Sequence, residues 1–287
     1  MNQKIAIAAI HGIGMANPDF ADPSSKKYIS GMPAKLIKKF AQLRGESIEQ
    51  ARSKLVIKPI YWAEIVQILE DKLASRIGYN KLSNPFKLRD FVFHMLGDAI
   101  AYSFPGDGRL MQQIHAPFAQ ALADLAAEAG NNAPLCIISH SLGTTIASNY
   151  VWNLQNETPE LKARIGDTPL EKGETLTLFY TFGSQLPLWG LAHEDFGTPI
   201  TVPAPQLNNY YSGLTGKWLN FYDTNDPLGF PFQHMNEKYK EAVEDKKVNA
   251  GNFFTSWNAF SHNGYWQDRE VVEPIAAALV KTWEAVN

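Results

Sequence analysis

The chain has 287 residues, 45% of them hydrophobic, enough to bury a sizeable core as one large domain or two small ones. Formal net charge is −3, with 26 Lys and Arg against 29 Asp and Glu, and there is neither a basic stripe nor a charged tail, so nucleic acid is not an expected partner. The one cysteine, Cys136, cannot close an internal disulfide, and inside an apolar run it reads as a small buried hydrophobe rather than a catalytic thiol.

The elements follow in chain order. The first candidate strand is 4–10, where Lys4 precedes a short apolar run from Ile5 to Ile10. It lacks a well-placed small-residue cleavage site and reads as a first strand rather than a signal peptide. No stretch approaches the ~20 apolar residues that span a bilayer, and a cytoplasmic location is expected. A second strand is expected at 54–61, where Pro59 puts it near a sheet edge or ends it early. A third covers 135–138 and runs straight into Ser139. The fourth lies at 175–182, the fifth at 217–222, and a weaker sixth within 247–254. Continuous apolar runs, rather than alternation, predict strands buried on both faces of a mostly parallel sheet.

Helical patterns fall between the strands. Residues 33–43 start with a first-turn proline. Leu110, Ile114, Phe118, Leu122 and Leu125 share a face, which Pro117 kinks or restarts. Leu142, Ile146, Tyr150, Val151 and Leu154 line a helix directly after Ser141, and Ile275, Leu279, Trp283 and Val286 line the last one. Strand then helix, repeated, predicts a doubly wound α/β sheet of about six strands with right-handed crossovers. Residues 1–287 read as a single domain. Within it, 63–108 carries helical patterns and no strand, which predicts a helical insertion that caps the site. The charged run 236–247 reads as a solvated helix face or loop.

The strongest chemical signal is Ser139-His140-Ser141-Leu142-Gly143, entered by an apolar strand and left by an amphipathic helix. A nucleophile elbow needs this context, because a sharp strand-to-helix turn exposes the serine oxygen above the sheet edge. Small neighbours are required at the turn. Gly143 meets that demand, and Ser139 stands where G-x-S-x-G has its first glycine. A helix starting at Leu142 also aims its amide and its dipole at the reacting centre. The competing reading is a plain helix cap by Ser141. His11-Gly12-Ile13-Gly14 follows the first strand. It begins a G-x-G-x-x-G pattern, but the third glycine position is Asn17, and Pro18 and Pro23 prevent the helix that would hold a pyrophosphate. Asp226-Pro227-Leu228 follows the fifth strand, with Asp223 as a rival at the strand end. Ser261-His262-Asn263-Gly264-Tyr265 precedes the last helix.

On these motifs the chain resembles the α/β-hydrolase superfamily, in particular its lipase and esterase-like members. The resemblance covers nearly the whole chain; 63–108 and 185–211 lie beyond it. It implies Ser141 as nucleophile, Asp226 as acid and His262 as base, in the Ser, Asp, His order of that superfamily. Backbone amides of Ile13 and Leu142 would form the oxyanion hole, where losing one donor costs about 3 kcal/mol of barrier. His11, Gly12 and His140 would border the substrate. Only Met1 to Gln3 precede the strand that ends in His-Gly, so the sheet is expected to lack the antiparallel leading pair.

The implied activity is cleavage of a small-molecule carboxylic ester, with lipid-like esters among the candidates, through an acyl-enzyme. Thioester or amide cleavage on the same triad, and a hydrolase-fold binding module without catalysis, remain alternatives. Trp189, Phe230, Phe232, Trp257, Phe260 and Trp266 read equally as an apolar pocket or as ordinary core. No H-E-x-x-H and no cysteine pair is present, so neither a metal nor another cofactor is implied.

Overall fold

The computed structural model of the protein describes residues 2–12, 17–83, 88–103, 108–250 and 262–287. Strand β1 (Ile5–Ile10) leads to helix α1 (Met32–Arg44), which has Pro33 in its first turn. Helix α2 (Ile48–Arg52) is held by a capping box between Ser47 and Gln50 and feeds β2 (Leu55–Ile60). Three helices then follow with no strand among the described residues: α3 (Ala63–Arg76), α4 (Leu88–Ser103) and α5 (Arg109–Ala129). Strand β3 (Leu135–His140) turns into α6 (Leu142–Gln155), and α7 (Pro159–Lys162) comes next. The chain continues through β4 (Leu176–Phe182), α8 (Leu186–Gly190), β5 (Lys217–Tyr222), α9 (Glu237–Ala242), β6 (Val243–Lys247) and α10 (Arg269–Ala285).

All six strands pair in parallel, in the order β2-β1-β3-β4-β5-β6. The chain steps from β1 outward to β2, then crosses back to lay β3 on the other side of β1. That reversal makes a topological switch point at the carboxyl ends of β1 and β3, the place where open α/β sheets put their ligands. Gly12 and Ser141 lie just past those two strand ends.

The apolar runs are explained by two-sided burial. Along β1, Ala6, Ala8 and Ile10 pack with Ile114 and Phe118 of α5 and Ile146 of α6. Ile5, Ile7 and Ala9 pack with Leu36 and Phe40 of α1 and Ile275 and Leu279 of α10. Helix α5 continues through Pro117 as one element. Pro59 is accommodated because β2 is an edge strand with β1 as its single neighbour.

The sixth strand differs from expectation. It is Val243–Lys247, inside the charged run read as a helix face or loop, and not within 247–254. Residues 248–250 continue past it, and 251–254 lie outside the described residues. The physical reason is its edge position, where charged residues guard an open ladder and a long apolar run is not needed. Val243 alone is buried, while Asp245 accepts hydrogen bonds from the Phe232 and Gln233 amides and from Asn220 Nδ2.

Phe118 tests the packing of the α5–α6 layer. It is fully buried and stacked on Tyr150 with ring centroids 4.1 Å apart. Phe118→Ala is expected to lower unfolding free energy by about 3–5 kcal/mol, measured by urea denaturation. A loss below about 1 kcal/mol would show that this layer is not packed as described.

Candidate active site

Ser141 sits between β3 and α6 with φ 54° and ψ −132°, a conformation rare outside glycine. Such a residue stores on the order of 1–3 kcal/mol of strain and persists only where its surroundings over-determine it. Its amide donates to the Phe182 carbonyl at 3.1 Å, and its own carbonyl accepts from the Thr144 amide at 2.9 Å and from Thr144 Oγ1 at 2.7 Å. Thr144 Oγ1 is joined in turn to Ser184 Oγ at 2.5 Å. Ser139 donates to the Tyr180 carbonyl at 2.8 Å, anchoring the strand end. The plain-cap reading does not hold, because Ser141 makes no side-chain capping bond to α6.

Two glycines allow the turns to close on one another. A Cβ on Gly12 would lie 2.3 Å from Ser141 Cβ, and one on Gly143 would lie 2.3 Å from the His11 carbonyl oxygen. Any larger residue at either position separates β1 from the elbow.

Ser141 Oγ meets His262 Nε2 at 2.9 Å. The other ring nitrogen, Nδ1, lies 2.9 and 3.1 Å from the two oxygens of Asp226. The carboxylate requires a proton on Nδ1, which leaves Nε2 to accept the Ser141 hydroxyl proton. Asp226 is buried, which raises its pKa, but bonds from His262, the Leu228 amide and the Tyr265 hydroxyl more than compensate, and the net shift is downward. Asp223 is drawn away from the histidine. Its carboxylate accepts the Asn225 and Ala250 amides.

His11 and His140 were expected to border substrate, and both are buried with ring nitrogens on the main chain. His11 Nδ1 donates to the Gly12 carbonyl at 2.8 Å, Nε2 accepts the Trp62 amide at 3.2 Å, and the ring stacks on the Trp62 indole. His140 Nε2 donates to the His262 carbonyl at 2.7 Å, with ring centroids 4.7 Å apart. Burial pushes the pKa of His11 down to about 4 and that of His140 down to about 3, the latter also opposed by the nearby His262. Cys136 is fully buried, and burial pushes its thiol up, away from the reactive thiolate.

Ile13, the expected second oxyanion donor, lies outside the described residues, as do Trp257 and Phe260. Leu142 opens α6, where first-turn amides have no intrahelical acceptor. Of the pocket aromatics, Phe232 is core, packed on Trp218 and Tyr239. Trp266 is buried against Phe20, Phe182 and His140.

The roles of two neighbours of the site escaped the sequence reading. Tyr265 OH donates to Asp226 Oδ2 at 2.9 Å and accepts the Asp223 amide at 2.9 Å, bracing the acid. Its place three residues after His262 was the available signal. Gln185 Nε2 donates to Ser141 Oγ at 3.4 Å from the turn after β4. Nothing in its local sequence marks it.

Two outcomes are expected. Gly12→Ala forces its Cβ into Ser141 and should reduce turnover far more than thermal stability, read by steady-state kinetics beside a melting curve; unaffected turnover would contradict the close approach. The second concerns pH. His11 and His140 stay neutral when folded but titrate near 6.5 when unfolded, so the unfolded chain binds more protons between about pH 6.5 and 4. Stability should therefore fall as pH drops through that window, seen as a lower urea midpoint at pH 5 than at pH 7. An equal or higher midpoint would contradict the buried neutral rings.

No protein-family model and no curated protein sequence matches the chain. Among solved structures it is similar to a fungal esterase from Rhizomucor miehei, at 12% identity and TM-score 0.46, covering 100% of this chain and 77% of that one. It is similar to EstE1, a thermostable carboxylesterase from a metagenomic library, at 12% identity and TM-score 0.42, covering 100% and 81%. Dienelactone hydrolase from Anabaena variabilis is a further neighbour, at 12% identity and TM-score 0.40, covering 99% and 87%. Likeness at this level says nothing of this chain's chemistry, which rests on its own residues. Its own parallel strand order, with the strand–serine–helix turn at the switch point, is the doubly wound α/β arrangement expected from the sequence.

Proposed function

We propose that the chain is a serine hydrolase that cleaves carboxylic esters through an acyl-enzyme. The observation that carries this reading is His262, whose two ring nitrogens bridge Ser141 Oγ and the Asp226 carboxylate, each at 2.9 Å. Nucleophile, base and orienting acid thus meet in one hydrogen-bonded line.

In this reading His262 Nε2 takes the Ser141 proton as Oγ attacks the ester carbonyl. Asp226 holds the tautomer and stabilises the imidazolium, and Tyr265 fixes the carboxylate. The Leu142 amide binds the oxyanion, joined by that of Ile13. His262 then gives its proton to the departing alcohol. A water repeats the cycle on the acyl-serine, releasing the acid and restoring Ser141. Ser141 is fully buried in this state, so substrate access requires the cover above it to move. The segment 63–108, rooted beside His11 through Trp62, is the cap in this proposal.

The roles of the two aspartates give the test. Asp226→Asn is expected to lower kcat on a short p-nitrophenyl ester by the order of 10⁴-fold, because the amide no longer enforces the productive tautomer. Asp223→Asn should lower it less than about tenfold, since among the described residues that carboxylate accepts the Asn225 and Ala250 amides and does not meet His262. Equal losses, or the reverse ranking, would remove Asp226 from its role. A parallel panel of ester, thioester and amide substrates should rank the ester first.

A further inference from the structure

Among the described residues, two side chains meet Ser141 Oγ. His262 Nε2 stands at 2.9 Å and Gln185 Nε2 at 3.4 Å. The serine hydroxyl has a single proton to give. His262 receives it, because the proton on its Nδ1 faces the Asp226 carboxylate and Nε2 is left as an acceptor. The group at the other contact must therefore donate. Within the Gln185 carboxamide only the nitrogen can do so, which fixes the way round the amide lies. Ser141 Oγ thus donates to His262 and accepts from Gln185.

The turn that presents Gln185 is bonded to the elbow itself. The Leu186 amide donates to Ser184 Oγ at 3.2 Å. Ser184 then donates to Thr144 Oγ1 at 2.5 Å, because the Thr144 proton is given to the Ser141 carbonyl at 2.7 Å. This chain of bonds runs in one direction, from the start of α8 to the peptide group of the nucleophile. The main chain around Gln185 is held as well. The Ser184 carbonyl accepts the Phe230 amide at 3.0 Å, and the Gln185 carbonyl accepts the Leu188 amide at 2.9 Å. Gln185 is buried at 4% exposure and Ser141 is fully buried, so their contact is shielded from water. A donor held in place away from water acts more strongly on a developing charge than one in solution.

We propose that Gln185 is a further catalytic residue of this site, its carboxamide N–H donating to Ser141 Oγ while negative charge builds on that oxygen. The inference rests on the hydrolase reading. In the attack the Oγ–H bond breaks and its proton passes to His262 Nε2. An Oγ lone pair bonds to the ester carbon as the carbonyl π pair moves onto the carbonyl oxygen. The Gln185 proton stays on its nitrogen throughout, and its dipole favours the oxygen that is losing a proton. In the second half of the cycle, collapse of the water adduct breaks the carbon–Oγ bond. Oγ departs with the electron pair and recovers a proton from His262. The same N–H stabilises that departure. Gln185 therefore acts on the serine oxygen, whereas the Leu142 amide acts on the carbonyl oxygen of the substrate. A contact of 3.4 Å suits this role, since catalytic hydrogen bonds are often long before substrate arrives and tighten in the complex.

The test is the rate of inactivation by a fluorophosphonate at pH 8, resolved into a binding constant and a maximal rate. Wild type, Gln185→Met and Gln185→Glu are compared, each beside a melting curve. Met keeps most of the length and has no donor. Glu keeps the shape, and once ionised it only accepts. Gln185→Met should lower the maximal rate by about 10- to 100-fold with the binding constant within about twofold of wild type, less than the loss of a short oxyanion-hole donor. Gln185→Glu should be slower than Gln185→Met, because a carboxylate opposes the charge that the amide favours. If the Met variant fails to fold, Gln185→Glu against wild type carries the comparison. A labelled wild type with folded variants inside about twofold of its maximal rate would overturn this inference and leave the hydrolase reading standing. So would a Glu variant faster than the Met variant, since side-chain shape and not the donor would then be what matters. Folded wild type that takes up no probe would overturn both.

Discussion

The site depends on one constraint, the close approach of the turn after β1 to the turn after β3. Ser141 adopts φ 54° and ψ −132° only because hydrogen bonds on both of its peptide groups and the packing of Gly12 and Gly143 leave it no other path. The strained turn lifts Oγ out of the helix-capping position and into line with His262. The sheet supplies the rest of the geometry. Parallel pairing in register brings the ends of β1, β3, β4 and β5 to one edge, where Gly12, Ser141, Gln185 and Asp226 follow. Strain of order 1–3 kcal/mol at a single residue is small beside the burial of both sheet faces, which holds those strand ends in place.

Electrostatics complete what the backbone starts. A carboxylate taken out of water is unfavourable unless it is bonded, and Asp226 accepts from His262, the Leu228 amide and Tyr265. Those bonds keep it ionised and oriented at once. His140 contributes without charge. Its neutral ring donates to the main chain of His262 and lies against its imidazole, which helps to fix the histidine. The same burial that keeps His11 and His140 neutral makes the site acid-sensitive, so geometry and pH response share one cause.

Much of this was legible in the sequence because it is local. A strand running into Ser-x-Ser-x-Gly and then a helix dictates the elbow, and continuous apolar runs dictate a sheet covered twice. The order of Ser141, Asp226 and His262 pointed to their juxtaposition across 36 and 121 residues of separation. What escaped is non-local or weakly apolar. Strand β6 carries one buried side chain, so no hydrophobic run announces it. Gln185 reaches Ser141 only through the sheet, and Tyr265 reaches both aspartates only once β5 and the final loop are side by side. The burial of His11 and His140 depends on Trp62 and on the loop of His262, contacts that spacing along the chain does not encode.

The central claim is that Ser141 is an activated nucleophile, and labelling with a fluorophosphonate probe measures that most directly. Folded wild type should take up one probe per chain by intact-mass spectrometry, and Ser141→Ala should take up none. Unlabelled wild type with a native melting profile, or labelling that survives in Ser141→Ala, would contradict the account.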